Sequence, residues 1–192
     1  MKTIVGNTEC KSIKVPQTVV LEDGIRFYRT NTDQEWIRNA DTSKLTELPY
    51  IFAYSNNLEI IVPNWNVENF TSAIGTFRSC TLLTKLDISN WRLSKCNVFS
   101  DFIYACPFLH TLKWNHFGEF PNSVVSFNFY NSPLGTGGEE SLKSLKDTFV
   151  YNSYDRKANG LSTLSITFVA ETKALFTEEE LEIMANKGYV IK

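Results

Sequence analysis

Cysteine, histidine and clustered acidic side chains are the residue types in this chain that could do covalent or acid–base chemistry. There are four cysteines, Cys10, Cys80, Cys96 and Cys106, and two histidines, His110 and His116. No CxxC pair occurs, so the sequence offers no zinc framework, and no other cofactor motif is found. Four thiols in 192 residues also make a sparse disulfide scaffold. Cys80 and Cys106 stand 26 residues apart at equivalent places in a repeat. Two readings are open for them, a disulfide or redox pair and a ladder of small buried thiols. The repeat favours the ladder, because free cysteine is among the most buried residue types. Cys96 falls in a loop-to-helix turn and is expected to be the more exposed thiol. A catalytic pair would set a histidine beside a Cys or Ser, with a carboxylate to orient it. Nothing in the placing of His110 or His116 demands this, so no catalytic residue and no enzyme activity are predicted.

Two acidic segments have structural readings. Glu178-Glu179-Glu180 follows Thr177 in a capping-box pattern, and carboxylates in a helix first turn complement its macrodipole. Leu134-Gly-Thr-Gly-Gly-Glu-Glu140 precedes a helical pattern but lacks G-x-G-x-x-G spacing, and two carboxylates at that helix start would repel an anion. It is expected to be a flexible loop. Asn69-Phe70-Thr71 is a glycosylation sequon that has meaning only for a secreted chain.

Composition narrows the classes further. A net charge of −2, with no basic run, removes most of the electrostatic basis for nucleic-acid binding. Hydrophobic residues make up 43%, enough for a folded core. Apolar runs such as Ile60-Ile61-Val62-Pro63 are too short to span a bilayer, so no membrane insertion is expected. Met1 to Asn7 lacks the apolar run of a secretory signal. That predicts a cytoplasmic or virion-associated product, or a cell-surface one if a signal has been removed.

What positions these residues is a repeat. Ile60, Leu86 and Leu112 are spaced by 26, as are Trp65 and Trp91, Cys80 and Cys106, and Phe77 and Ile103. Phe52 to Phe77 is 25, which implies one residue deleted near Asn57. The matched positions are nearly all apolar, so the period reflects burial. One half of each period has helical spacing: Phe70, Ala73, Ile74, Phe77 and Cys80, then Phe99, Phe102, Ile103 and Cys106, with Ser94 or Asn97 as N-cap. The other half alternates, with Leu86, Ile88, Leu112 and Trp114 on one side of a short strand. Leu83-x-x-Leu86-x-Ile88 and Leu109-x-x-Leu112-x-Trp114 fit the leucine-rich-repeat pattern. Trp65 and Trp91 are expected to cover the turn after a strand, and Asn64 and Asn90 to bond neighbouring turn backbone.

Cys80-Thr-Leu-Leu-Thr-Lys-Leu86-Asp-Ile-Ser-Asn-Trp91, followed by Ser94-Lys-Cys-Asn-Val98, resembles the BspA-like leucine-rich-repeat family. That family typically runs Phe-x-x-Cys, then Leu-x-x-Leu-Asp-Leu-Ser-Asn-Trp, then Ser-Asn-Val and a Met-rich helix. Here Phe99, Phe102 and Ile103 stand where methionines are usual, and the first repeat lacks the Cys and the Asp. The resemblance covers about residues 45–117, is strongest at about 77–102, and extends loosely through the C-terminal helix and strand. It implies attachment to host proteins or cells. Short chains of this kind without a signal look like those among phage genes, so the alternative it implies is a bacteriophage virion structural or receptor-binding protein.

The flanks complete the expected fold. Ser12–Val15, Thr18–Leu21 and Gly24–Tyr28 read as short antiparallel strands, giving an N-terminal β-rich cap over 1–44. Residues 45–117 hold the repeats. Residues 118–192 hold irregular repeats and a C-terminal cap: strand-like Asn122–Phe127 and Leu161–Ile166, a helix over Glu139–Tyr151, and a last helix before a strand at Tyr189–Ile191. Whether 118–160 is a true repeat or an insertion stays open. The fold class is therefore a short α/β leucine-rich-repeat solenoid with a cap at each end. Its exposed strand positions form columns, Glu59/Lys85/Thr111, Ile61/Asp87/Lys113 and Pro63/Ser89/Asn115. Such columns make the usual binding face of stacked repeats. Their mixed charge points to a protein or glycan ligand rather than nucleic acid, and the resemblance to phage-encoded chains implies neighbouring virion proteins as the alternative partners.

Overall fold

The computed structural model describes residues 20–27 and 37–192. At its centre are three short strands one period apart, β3 (Glu59–Ile61), β4 (Lys85–Asp87) and β5 (Thr111–Lys113). They pair in parallel, with Glu59, Lys85 and Thr111 side by side, then Ile60, Leu86 and Leu112, then Ile61, Asp87 and Lys113. The middle residue of each strand is buried and its neighbours are less so. A one-residue slip would turn Leu86 or Leu112 outward, so the alternation fixes the register.

The half-periods with helical spacing are not α-helices. Residues 70–80 and 99–106 run as successive tight turns, whose alternate amides donate to the carbonyls of the next period. Leu48, Tyr50, Phe52 and Tyr54 donate to Ser72, Ile74, Thr76 and Arg78 at 2.8–2.9 Å, and Ala73, Gly75, Phe77 and Ser79 donate to Val98, Ser100, Phe102 and Tyr104 at 2.7–2.9 Å. Left-handed backbone recurs with the repeat, at Tyr50, Gly75 and Asp101 and again at Tyr54, Ser79 and Ala105. A left-handed residue every fourth position breaks an α-helix but keeps a spacing of four. The apolar pattern therefore looked helical without being so. No helix is present for Ser94 or Asn97 to cap. The fixed points also locate the shortened period. Tyr54 to Ser79 is 25 residues, whereas Glu59 to Lys85 is 26, so the missing residue lies between Tyr54 and Glu59, as the spacing around Asn57 implied.

Side chains tie each period to the one before. The indoles of Trp65, Trp91 and Trp114 donate to the carbonyls of Ile37, Val62 and Trp91 at 2.8, 2.7 and 3.0 Å. The thiols of Cys80 and Cys106 donate to Phe52 and Phe77, both at 3.0 Å. Phe27, Phe52 and Phe77 stack at 5.2 and 5.5 Å between centroids. All of these side chains are buried, and a buried donor left without its acceptor costs about 1–3 kcal/mol. The identities of the repeated residues thus follow from satisfaction of hydrogen bonds as well as from area.

At the N-terminal side, β1 (Val20–Glu22) pairs with β2 (Asp41–Lys44) in parallel, not antiparallel. The connection between them exceeds the dozen or so residues that a parallel crossover needs. Asp23 and Gly24 form a turn, and the segment after it makes only a single bridge at Arg26 rather than a strand, with Phe27 donating to Ile51. The expected strand at Ser12–Val15 lies outside the described residues, as do Thr18 and Tyr28.

A second three-stranded parallel sheet, in the order β6 (Ser126–Asn128), β7 (Leu164–Thr167) and β8 (Tyr189–Ile191), forms the C-terminal unit. Helix α1 (Glu139–Lys146) continues through a wider π-type turn over Asp147–Tyr151. A short helix α2 (Ala170–Lys173) precedes α3 (Glu178–Asn186), which opens on the expected capping box: Thr177 accepts from the Glu180 amide at 3.2 Å and Glu180 from the Thr177 amide at 2.8 Å. β6 pairs with β7 and not with β5, so the 26-residue pairing ends at β5. Buried Arg156 braces the joint, donating to Gly118 at 2.7 Å, to Phe120 at 3.2 Å and to Ser162 at 2.8 Å. Each of these hydrogen bonds goes to a carbonyl, and burial lowers the pKa of the guanidinium. Among the described residues no helix is long and apolar enough to cross a membrane.

Candidate functional site

The sheet register brings the expected columns together. Glu59 is exposed, while Ile61, Lys85, Asp87, Ser89, Thr111 and Lys113 are half-buried. Beyond the strands the columns continue, because Asn115 donates to Ser89 at 3.1 Å and Val62 to Asp87 at 2.9 Å. Asp87 also holds its own turn, accepting from the Ser89 amide at 3.1 Å. Local rigidity is thus built into one of the charged positions. Asn64 and Asn90 are exposed, and the turn bonding expected of them is made by Asp87 and by Asn66, which accepts from the Glu68 amide at 3.3 Å.

The face is partly occupied by the chain itself. Strand β5 would be the open edge of the sheet, but α1 lies along it. Ser144 and Thr148 donate to the Leu112 carbonyl at 2.6 and 2.9 Å, and Thr148 accepts from the Trp114 amide at 3.2 Å. Ser141 donates to the His110 carbonyl. From the exposed start of the same helix, Glu140 reaches over the strands to Lys85 at 3.3 Å and to Lys113 at 3.4 Å. The hydrogen bond from Lys85, then that from Lys113, hold its carboxyl below the ordinary glutamate range. Between sheet and helix runs a groove of about 320 Å³ bounded by Ser89, Lys113, Asn115, Glu140 and Asp147. Two lysines on adjacent strands that share a carboxylate form a built anion-accepting pair.

The loop before α1 is packed rather than free. Gly135 donates to the His110 carbonyl at 2.8 Å. At its φ of +84° a side chain is strained, and a Cβ there would lie 2.7 Å from both Leu145 and Leu175. The glycines allow close approach, which the sequence alone reads as flexibility.

Among the described residues, those with covalent potential are turned to other uses. Cys80 and Cys106 are free and buried, as the ladder reading has it, and burial, with Cys106 alongside, raises the Cys80 thiol well above its ordinary range. Cys96 is fully buried, against expectation, and burial pushes it up to about 12. Its turn faces the core because no helix begins there. His110 Nδ1 lies 3.0 Å from the Thr136 hydroxyl. His116 faces Glu119 at 3.5 Å, with Arg92 on the same carboxylate. Burial lowers its pKa, Arg92 lowers it further, and Glu119 opposes both. Among the described residues neither histidine bonds a thiol, and no group of three His, Cys, Asp or Glu could hold a metal ion.

The model of a family described as "Mycoplasma protein of unknown function, DUF285" matches residues 25–129, more than half of the chain. The chain belongs to this family. The match spans strands β3 to β5, the turn ladder and β6, so the DUF285 region holds both the stacked periods and the start of the C-terminal sheet. Glu140 and α1, which close the face, lie C-terminal to it. Comparison with curated proteins and with solved structures finds no match. The site residues that sequence reasoning missed are Glu140, Ser141, Ser144 and Thr148. A signal for the last three exists. They fall at i, i+3 and i+7, polar where a buried helix stripe would be apolar, so they point to a surface with carbonyls to satisfy.

Proposed function

We propose that this chain is a short leucine-rich-repeat solenoid of the BspA-like kind and a non-catalytic recognition module. Its polar sheet face binds a protein or glycan that brings an acidic group. The observation that carries this reading is the Lys85–Lys113 pair around a carboxylate on a rigid, in-register sheet. Glu140 stands in for the partner's acid, and Ile61, Asp87 and Ser89 flank the site with apolar and polar contacts. Among the described residues the thiols are buried and the two histidines bond Thr136 and Glu119, which supports recognition over catalysis. The test is a pull-down and glycan-array screen with the full chain, repeated with Lys85, Asp87 and Lys113 changed to Ala. Partner binding should weaken by about tenfold or more, the size expected when the central charged contacts of an interface are truncated. Glu140→Ala should strengthen it by freeing both lysines. A partner unaffected by the triple change would exclude this face.

A further inference from the structure

The turn ladder has a direction, and the direction leaves one side without acceptors. Alternate amides of each period donate to the carbonyls of the period that follows, as Gly75 and Phe77 do to Ser100 and Phe102. In the last period the corresponding donors are Phe99, Asp101 and Ile103. Among the described residues no backbone carbonyl accepts from them. These three residues line one bank of an open groove of about 400 Å³. The opposite bank is β6, the edge strand of its sheet, and Ser126 and Asn128 line that bank. Phe99 and Phe127, with centroids 5.4 Å apart, link the two banks beneath.

We infer that this groove receives an extended peptide segment of a partner protein, which adds as a further rung between the Phe99–Ile103 edge and β6. The chemistry identifies the occupant. Three amides at alternate residues form a line of donors, and a peptide backbone running alongside offers carbonyls at alternate residues, as Val98, Ser100 and Phe102 do to the period before. A compact anion would engage one or two of them and leave the line unfilled. The groove has the volume of a ligand cleft, and its far bank is a strand edge with its own backbone groups free to pair. The site is separate from the sheet face and does not rest on that reading.

The experiment uses the full chain, a display library of random ten-residue peptides, and amide hydrogen exchange. In the free protein, Phe99 and Asp101 should exchange at close to solvent rates. Selected peptides should slow exchange at Phe99, Asp101 and Ile103. Their affinity should fall by about tenfold or more, that is about 1.4 kcal/mol, when the groove is filled by Ser126→Trp or, from the other bank, by Ser100→Trp. It should be unchanged by Lys85→Ala. An unchanged melting temperature shows that each variant folds, and two variants on opposite banks guard against one local distortion. The inference is overturned if no selected peptide responds to either tryptophan. It is also overturned if the free-chain amides are already protected, or if Ser126→Trp breaks a self-association that alone explains the protection.

Discussion

Strand β5 and the turn segment at Phe99–Ile103 are the last members of two ladders built from the same periods. Each faces the end of the repeat with backbone groups that a next period would have satisfied. At β5 the following sequence supplies a substitute, since α1 and the π-type turn that continues it direct Ser141, Ser144 and Thr148 toward the carbonyls of His110 and Leu112. At Phe99–Ile103 no substitute arrives, and a groove separates the edge from β6. The difference teaches that ending a stack of repeats is a problem of hydrogen bonds as much as of apolar area. One helix face solved it with three hydroxyls, while the other edge stays available for pairing.

The largest expected effect comes from undoing the closed edge. Ser144→Ala combined with Thr148→Val keeps volume but leaves the Leu112 carbonyl and the Trp114 amide without partners inside the fold. Each unsatisfied buried group costs about 1–3 kcal/mol, so the pair should lose about 2–5 kcal/mol in urea unfolding. At the open edge, Ser100→Ala should change stability by no more than about 0.5 kcal/mol, as for an ordinary surface position. Equal losses at the two edges would erase the contrast.

The inside of the turn ladder should respond at an intermediate level. Gly75 has a φ of +57°, and a Cβ there would lie 2.3 Å from the Tyr50 ring. Gly75→Ala should therefore lower stability by about 1–3 kcal/mol, through backbone strain and the displaced ring. Tyr50→Ala in the same chain should recover part of the loss by making room. If Gly75→Ala is neutral, the recurring left-handed turns do not have the steric basis assigned to them.

These contrasts also mark what the sequence could say. The strand register, the Cys80–Cys106 ladder, the shortened first period and the capping box at Thr177 were legible, because each depends on residues close together or on a strict period. The turn ladder was not. Apolar side chains every three to four residues are shared by a helix and by a coil of four-residue turns, and the left-handed residues that separate the two include Tyr50, Ser79 and Asp101 as well as a glycine. The exposed columns were legible, but their partial cover was not. Glu140 lies 55 residues from Lys85, a pairing no local pattern encodes. Cys96 was misjudged for the same reason as the helices, since its exposure was inferred from a helix start that does not exist.

The smallest effect tests whether the cover over the sheet face is real in solution. The Lys85 and Lys113 hydrogen bonds hold Glu140 below the ordinary glutamate value of 4.5 in the folded chain. A lowered folded pKa means that the stabilisation is present above the unfolded value and fades as pH falls through the folded one. Glu140 is fully exposed, so its share of stability is small and should shrink further with salt. A side-chain NMR titration reads it directly. Glu140 should titrate below an unpaired glutamate, and Lys85→Ala or Lys113→Ala should each move it back up part of the way. Both together should restore the ordinary value. The Glu180 carboxyl, which burial raises but Lys146 and the Thr177 amide lower by more, should not move in any of these variants. An unshifted Glu140 in the native chain would mean that the lysine pair stands open, and that the two edges differ in their backbone alone.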